Sequence, residues 1–197
     1  MASEIQPSRL GTKEHWEEVY TRELRNFEEF SDEGEVWFGR DSVEKIVDWC
    51  LANIPPSSLP YCLDIGTGNG SLLFALADAG YEPNRLQGID YSPSSTSLAR
   101  AIAFKRNPIQ SIALETFNFL GENPWGPLKL YPERASNALR EGGYFIITSC
   151  NFTQDELIAA FTHEGLRLAF HSRIKYPTFT FGGQTGSAIS TVAFQKK

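Results

Sequence analysis

The stretch Leu63-Asp64-Ile65-Gly66-Thr67-Gly68-Asn69-Gly70 constrains the fold more than any other part of this chain. The short apolar run Tyr61-Cys62-Leu63-Asp64-Ile65 has the character of a buried parallel strand. After the glycines, Leu72, Leu73, Leu76 and Ala79 line one side of a helix that Gly80 ends. A strand turning through glycines into a helix lets a ligand approach the backbone closely, and the free helix N-terminal N–H groups can bind its polar parts. Leu86 to Ile89 is a second short strand ending at Asp90, 20 residues beyond Gly70. In nucleotide-binding sheets a carboxylate at that place accepts the two ribose hydroxyls.

Two details separate the candidate ligands. A dinucleotide fingerprint requires glycine at its sixth position, where this chain has Ser71. Asp64 stands two residues before the first glycine, at the tip of the first strand. A carboxylate there repels a pyrophosphate but suits an ammonium group. S-adenosylmethionine carries an α-ammonium, a sulfonium and a ribose and has no phosphate, so the residues favour it over NAD.

The rest of the chain continues the alternation. A short helix is expected from Lys13 to Leu24, and another carries Val43, Ile46, Val47, Leu51 and Ile54, with Asp41 or Ser42 able to cap it and Pro55-Pro56 ending it. Leu98, Ala101 and Ile102 mark a helix, and Ser111 to Phe117 a third strand. Ala135 to Arg140 reads as a helix stopped by Gly142-Gly143, and Tyr144 to Ser149 as a strong buried strand. Thr153-Gln154-Asp155-Glu156 is a capping box opening a helix through Leu157, Ile158 and Phe161. Leu166, Leu168 and Phe170 alternate with Arg167 and His171 as a half-buried strand, and Ala188 to Phe194 forms the last one. The pattern is α/β, a mainly parallel sheet with an antiparallel end. Residues 1–40 are an N-terminal extension contributing to the cofactor and substrate site, and 41–197 the principal domain.

Composition removes other classes. Eighteen basic against twenty-four acidic residues give a net charge of −6, which disfavours non-specific binding to nucleic acid or anionic membranes. No apolar run approaches the length of a membrane span, and the first residues carry no basic, apolar leader pattern. Cys50, Cys62 and Cys150 are too widely spaced for a metal-ligand pair, and each sits in an apolar run where a small buried side chain is expected. The three histidines are scattered, so no metal site is expected. The expected compartment is the cytoplasm, with a nuclear share left open, and the expected state is a monomer.

At this point a resemblance enters. Leu63 to Gly70 resembles motif I of class I methyltransferases, and Gly88-Ile89-Asp90-Tyr91-Ser92-Pro93 their acidic second motif. The flanks are more specific. Leu10-Gly11-Thr12-Lys13-Glu14-His15-Trp16 and Gly34-Glu35-Val36-Trp37-Phe38-Gly39 resemble the start of the lysine methyltransferases that act on translation elongation factor 1-alpha. Ile147-Thr148-Ser149-Cys150-Asn151-Phe152-Thr153 and Phe179-Thr180-Phe181-Gly182-Gly183-Gln184-Thr185-Gly186 resemble that family's late signatures.

The resemblance implies a Rossmann-like sheet, S-adenosylmethionine as cofactor and a protein substrate, elongation factor 1-alpha. It places Asp64, Gly66, Gly68 and Gly70 around the methionine part and Asp90 at the ribose, with Thr67, Asn69, Tyr91 and Trp37 completing the cofactor site. The adenine edge falls to Asn118 and Phe119, where the family tends to have Asp-Phe. Asn118 still accepts a bond from the adenine amine, more weakly for being uncharged. No catalytic residue is assigned.

One region departs from the family. Only 24 residues lie between Phe117 and Gly142, where a complete fold places a helix, a strand and a second helix, at least ~30 residues. The only strand-like piece is Leu128-Lys129-Leu130-Tyr131, fenced by prolines. The central fourth strand is therefore expected to be shortened or absent. That leaves an alternative, a cofactor-binding or interaction module with impaired catalysis, and a weaker third reading, a small-molecule methyltransferase.

Trp37 and Phe38 are candidates for an aromatic slot that welcomes a cationic amine, or for ordinary packing. The acidic run Glu28, Glu29, Asp32, Glu33 and Glu35 either steers a lysine-bearing surface or is a solvated face. Tyr176 to Gly186 is a substrate-side lid or a plain hairpin connection.

Overall fold

The computed structural model describes residues 11–106, 111–121, 127–181 and 184–197. By backbone contact the chain divides into two units, the first running to Phe119 and the second from Leu120 to Lys197.

The first unit opens with helices α1 (Lys13–Phe30) and α2 (Arg40–Asn53), followed by β1 (Cys62–Ile65), α3 (Ser71–Asp78), β2 (Leu86–Asp90), α4 (Pro93–Arg106) and β3 (Ala113–Thr116). The three strands form a parallel sheet in the order β1-β2-β3. A parallel pair requires a crossover, and α3 and α4 supply the two crossovers. Their apolar sides bury Leu73, Phe74 and Leu76 on α3 and Leu98, Ala99 and Ile102 on α4, together with Leu86 and Ile89 of β2.

Gly88 sits opposite Asp64 in the β1–β2 register. A Cβ there would lie 2.8 Å from Leu73 Cδ1 and Thr67 Oγ1 and 2.9 Å from Leu114 Cδ2. Gly88→Ala overpacks this crossing and should lower stability by about 1–3 kcal/mol, read as a lower midpoint in thermal unfolding.

β3 is shorter than the expected Ser111 to Phe117, and the first two helices also differ from the sequence expectation. α1 continues past Leu24 to Phe30 because Phe27 extends its apolar face and is buried. Neither Asp41 nor Ser42 caps α2: Gly39 does, at φ +78, its carbonyl accepting from the N–H groups of Ser42 and Val43. Ser42 is fully buried, and Asp41 pairs with Lys45 one turn on.

The second unit holds α5 (Pro127–Ala138), β4 (Tyr144–Ser149), α6 (Gln154–Phe161), β5 (Leu168–Ile174), the short strands β6 (Phe179–Phe181) and β7 (Gln184–Gly186), and β8 (Ser190–Lys196). β8 lies between β4 and β5, antiparallel to both, and β6 pairs with β7 as a hairpin. Phe145, Phe161 and Phe194 form the centre of the core, with ring centroids 5.0 to 6.1 Å apart. Ala135, Leu157, Leu168 and Val192 surround them. The capping box at Thr153 is formed as expected, the Thr153 hydroxyl accepting from Glu156 N–H and the Glu156 carboxylate accepting from Thr153 N–H.

Leu128 to Tyr131 is helical rather than extended. Pro127 at the first helical position is pre-organised for it. Tyr131, Ala135 and Leu139 then follow at four-residue spacing against the Phe145 core, an inducement that the prolines do not offset. Lys196 Nζ donates to the carbonyls of Ser136 and Leu139 at the C-terminal end of α5.

The α/β class and its parallel and antiparallel parts follow the sequence. Among the described residues no strand lies between β3 and β4, so β1 and β4 are each an edge of their own three-stranded sheet. β1 shows the consequence, with Leu63 45% exposed on a strand whose apolar character suits burial on both sides. Cys50 and Cys62 are held in apolar surroundings that push their thiols up to about 12 and about 11, so both are inert packing groups. Cys150 is exposed, contrary to expectation, because it falls just beyond the end of β4.

Candidate functional site

The glycine loop lies at the C-terminal ends of β1 and β2, the usual ligand crevice of a parallel sheet. Gly66, Gly68 and Gly70 all take positive φ, at +76, +56 and +82. This backbone course is open to glycine at little cost. Nothing stands within 4 Å of a Cβ built on Gly66, so the loop offers open backbone there. At Gly70 a Cβ would meet the Phe74 ring at 2.9 Å, so this glycine serves helix packing instead.

Asp90 organises the loop. Its Oδ2 accepts from Gly68 N–H at 3.1 Å and its Oδ1 from Ser92 N–H at 2.9 Å, and the residue is buried. Ser95 donates its hydroxyl to the Gly68 carbonyl, closing the loop from the α4 side. Asp64 accepts a bond from the Thr67 hydroxyl at 2.9 Å. Burial pushes the Asp64 carboxyl up to about 6 despite that bond, and the charge of Asp90 adds to the effect. A carboxyl so placed gains most from a cationic partner. Asn69 is buried; its side-chain oxygen accepts from Ser71 N–H at the start of α3, and its amide donates to the carbonyls of Glu33 and Glu35.

Tyr91 follows Asp90 directly, and burial and the Asp90 charge raise its phenol to about 12. Trp37 is 43% exposed and meets Trp16 edge to face, centroids 4.6 Å apart. Asn118 and Phe119 lie just past β3, Asn118 exposed and Phe119 half-buried. The structure thus brings Asp64, Thr67, Gly68, Asn69 and Asp90 together on one loop, with Asp64 bonded to Thr67 and Asp90 to Gly68.

α1 belongs to this group, and the sequence did not identify its contributors. The Glu17 carboxylate accepts from the Ser92 and Ser94 hydroxyls at 2.6 and 2.5 Å, over the N-terminus of α4. Tyr20 reaches the loop: its hydroxyl lies 2.6 Å from where a Gly68 Cβ would stand. Burial, with Asp90, Glu23 and Asp64 nearby, raises the Tyr20 phenol above its ordinary range. Trp16, Tyr20, Glu23 and Phe27 recur at spacings of four, three and four, one face of a helix, and that periodicity was the available signal. Within the acidic run, Glu33 pairs with both terminal and internal nitrogens of Arg106, while Glu28 and Glu29 are exposed.

The donor set fits a ligand combining an ammonium with a ribose. Asp64 offers a half-buried carboxyl to the cation, Asp90 a carboxylate to hydroxyls, and Gly66 an uncrowded backbone between them.

No protein-family profile matches the chain. It is 36% identical to "EEF1A lysine methyltransferase 2" of Mus musculus, an alignment covering 100% of this chain and 87% of that protein. It is also 36% identical to "Protein-lysine N-methyltransferase efm4" of Schizosaccharomyces pombe, covering 98% of this chain and 96% of that protein. The mouse alignment has 220 positions against the 197 residues of this chain, so at least 23 positions of the relative have no counterpart here. Among solved structures, the magnesium protoporphyrin IX methyltransferase of Synechocystis PCC 6803 with bound SAM superposes with a TM-score of 0.55. It is 15% identical, over 91% of this chain and 97% of that one, a likeness of fold.

Proposed function

The chain belongs to the protein-lysine N-methyltransferase family of EEF1A lysine methyltransferase 2 and efm4, and on that premise we propose that it methylates a lysine of translation elongation factor 1-alpha. The methyl donor is S-adenosylmethionine, which supplies an electrophilic methyl on a sulfonium. The observation that carries the reading is the pair Asp64 and Asp90 bonded to the two sides of one glycine loop.

In this reading Asp64 holds the α-ammonium and Asp90 the ribose hydroxyls. Gly66 lets the ligand approach the backbone, and Asn118 and Phe119 face the adenine. The reaction is an in-line displacement, so alignment and a neutral amine matter more than a strong base. Trp16 and Trp37 offer aromatic faces to the arriving lysine cation. The net charge of −6 supports a protein partner over a nucleic acid. A translation factor as substrate supports a cytoplasmic location, and the chain is proposed to act as a monomer.

The test is transfer of labelled methyl from S-adenosylmethionine to purified elongation factor 1-alpha, with the lysine located by mass spectrometry. Label on a lysine is the expected result. Tight S-adenosylhomocysteine binding without transfer would identify a cofactor-binding module instead, a reading supported by the lack of a strand between β3 and β4 among the described residues. No binding by a folded chain would overturn the methyltransferase reading altogether.

A further inference from the structure

Glu23 is the one carboxyl around Tyr20 to which the cofactor reading gives no task. It lies on α1, one side of the helix with Trp16 and Tyr20, and is 9% exposed. Its Oε1 accepts from Glu35 N–H at 3.3 Å. Its Oε2 is shut off from solvent and has no hydrogen-bond partner among the described residues. A buried carboxylate oxygen without a partner is costly, and each such atom in a native structure calls for an explanation. The facing charges do not supply one. Glu35 and Asp32 on the strap that follows α1 are acidic, and Arg22, on α1 itself, attracts Glu23 but forms no ion pair with it among the described residues.

The surroundings have the chemistry of a lysine side chain. Trp37 meets Trp16 at 4.6 Å, and Trp16 stacks on Tyr20 at 6.1 Å between centroids. The exposed Trp37 thus meets Trp16, Trp16 meets Tyr20, and Glu23 follows Tyr20 on the same side of α1. Aromatic faces suit a four-carbon stem and its cation, and a carboxylate suits the ammonium at its end. Over Oε2 the chain passes as Gly34, at φ +82, where a Cβ would lie 2.5 Å from that oxygen. The same strap is fastened to the glycine loop by Asn69, whose amide donates to the carbonyls of Glu33 and Glu35.

We propose that Glu23 receives the ε-ammonium of the acceptor lysine when the Gly34 strap lifts, and takes its proton. An N–H bond of the ammonium breaks and an O–H bond forms on Oε2, leaving a neutral amine. The amine lone pair then forms the N–C bond as the S–C bond of the sulfonium donor breaks, its electron pair staying on sulfur. The raised proton affinity of Glu23, caused by burial and then by the charge of Glu35 against the bond from Glu35 N–H, suits that acceptance. This inference rests on the lysine methyltransferase reading, and its test separates the two.

The probe is n-butylamine, cationic at neutral pH, titrated into the full chain with S-adenosylhomocysteine present and followed by tryptophan fluorescence. The parent should show a saturable change that Glu23→Gln weakens at least tenfold, with S-adenosylhomocysteine affinity within twofold of the parent. With elongation factor 1-alpha, Glu23→Gln should raise KM at least tenfold, lower kcat and remove the acidic limb of the kcat/KM pH profile. Glu23→Asp, which keeps the charge and shortens the reach, should recover part of both effects. It also carries the test if Glu23→Gln lacks a cooperative unfolding transition, and unchanged amine affinity in it overturns the assignment. No saturable response in the parent overturns the ammonium site whether or not the chain methylates its protein substrate. Equal losses of S-adenosylhomocysteine and butylamine affinity also overturn it, by assigning Glu23 to the cofactor's ammonium.

Discussion

Asp90→Ala should abolish useful cofactor binding, lowering S-adenosylhomocysteine affinity by about 100-fold or more in calorimetry. Two losses combine. In the proposed reading the carboxylate accepts from the ribose hydroxyls, and bonds to a charged acceptor contribute about 1.5–3 kcal/mol each. The same carboxylate fixes the loop, since Gly68 N–H and Ser92 N–H both donate to it. Without it these two donors lose their partners, and the loop relaxes from the shape that the ligand needs. The free chain should also lose about 1–3 kcal/mol of stability from the orphaned donors, seen as a lower unfolding midpoint. Asp90→Asn keeps one acceptor oxygen and should fall between the two in affinity. An Asp90→Ala chain that still unfolds cooperatively and binds S-adenosylhomocysteine within threefold of the parent would remove Asp90 from the ribose site.

The part of this site that was legible in the sequence is the part built from neighbours in the chain. Asp64 and Thr67 are three residues apart, and the glycines between strand and helix state their own backbone course. Asp90 was found because a strand end is local and its distance from Gly70 is set by one crossover. Glu17 escaped because its partners, Ser92 and Ser94, are 75 and 77 residues away, and nothing local distinguishes it from a solvated glutamate. Tyr20 and Glu23 escaped for the same reason, and because ending α1 at Leu24 hid the apolar residue, Phe27, that completes their face. The helix at Leu128 to Tyr131 was misread as strand-like because its prolines were weighed as local breakers, while the Tyr131, Ala135, Leu139 stripe that stabilises it faces a core assembled from β4, α6 and β8. That no strand lies between β3 and β4 among the described residues was legible from the length of the segment, set against the elements that the resembling family places there. The space between Phe117 and Gly142 is short, and β1 and β4 are each an edge strand of their own sheet among the described residues.

Asp64→Asn should change stability and binding in opposite directions. Burial holds the Asp64 carboxyl at about 6 in the folded chain, against about 3.9 for an unperturbed aspartate. A group raised on folding binds its proton more tightly in the native state. Its favourable contribution is fully present below about pH 4 and is lost as pH rises through 6. At pH 7.5 the ionised carboxylate therefore costs the free protein about 2–3 kcal/mol, since one pKa unit corresponds to about 1.4 kcal/mol. Asparagine removes that cost and keeps an oxygen for the Thr67 hydroxyl. The ligand-free variant should unfold several degrees higher than the parent at pH 7.5, with the difference closing toward pH 4. Its S-adenosylhomocysteine affinity should fall at least tenfold, because the α-ammonium loses its charged partner. The parent's affinity should weaken as pH drops through 6, and the variant's should not. Such a pattern marks a site that holds a destabilising charge ready for a cationic ligand. If Asp64→Asn is no more stable than the parent at pH 7.5, the carboxyl is not strained. If its affinity matches the parent's at every pH, the α-ammonium sits elsewhere.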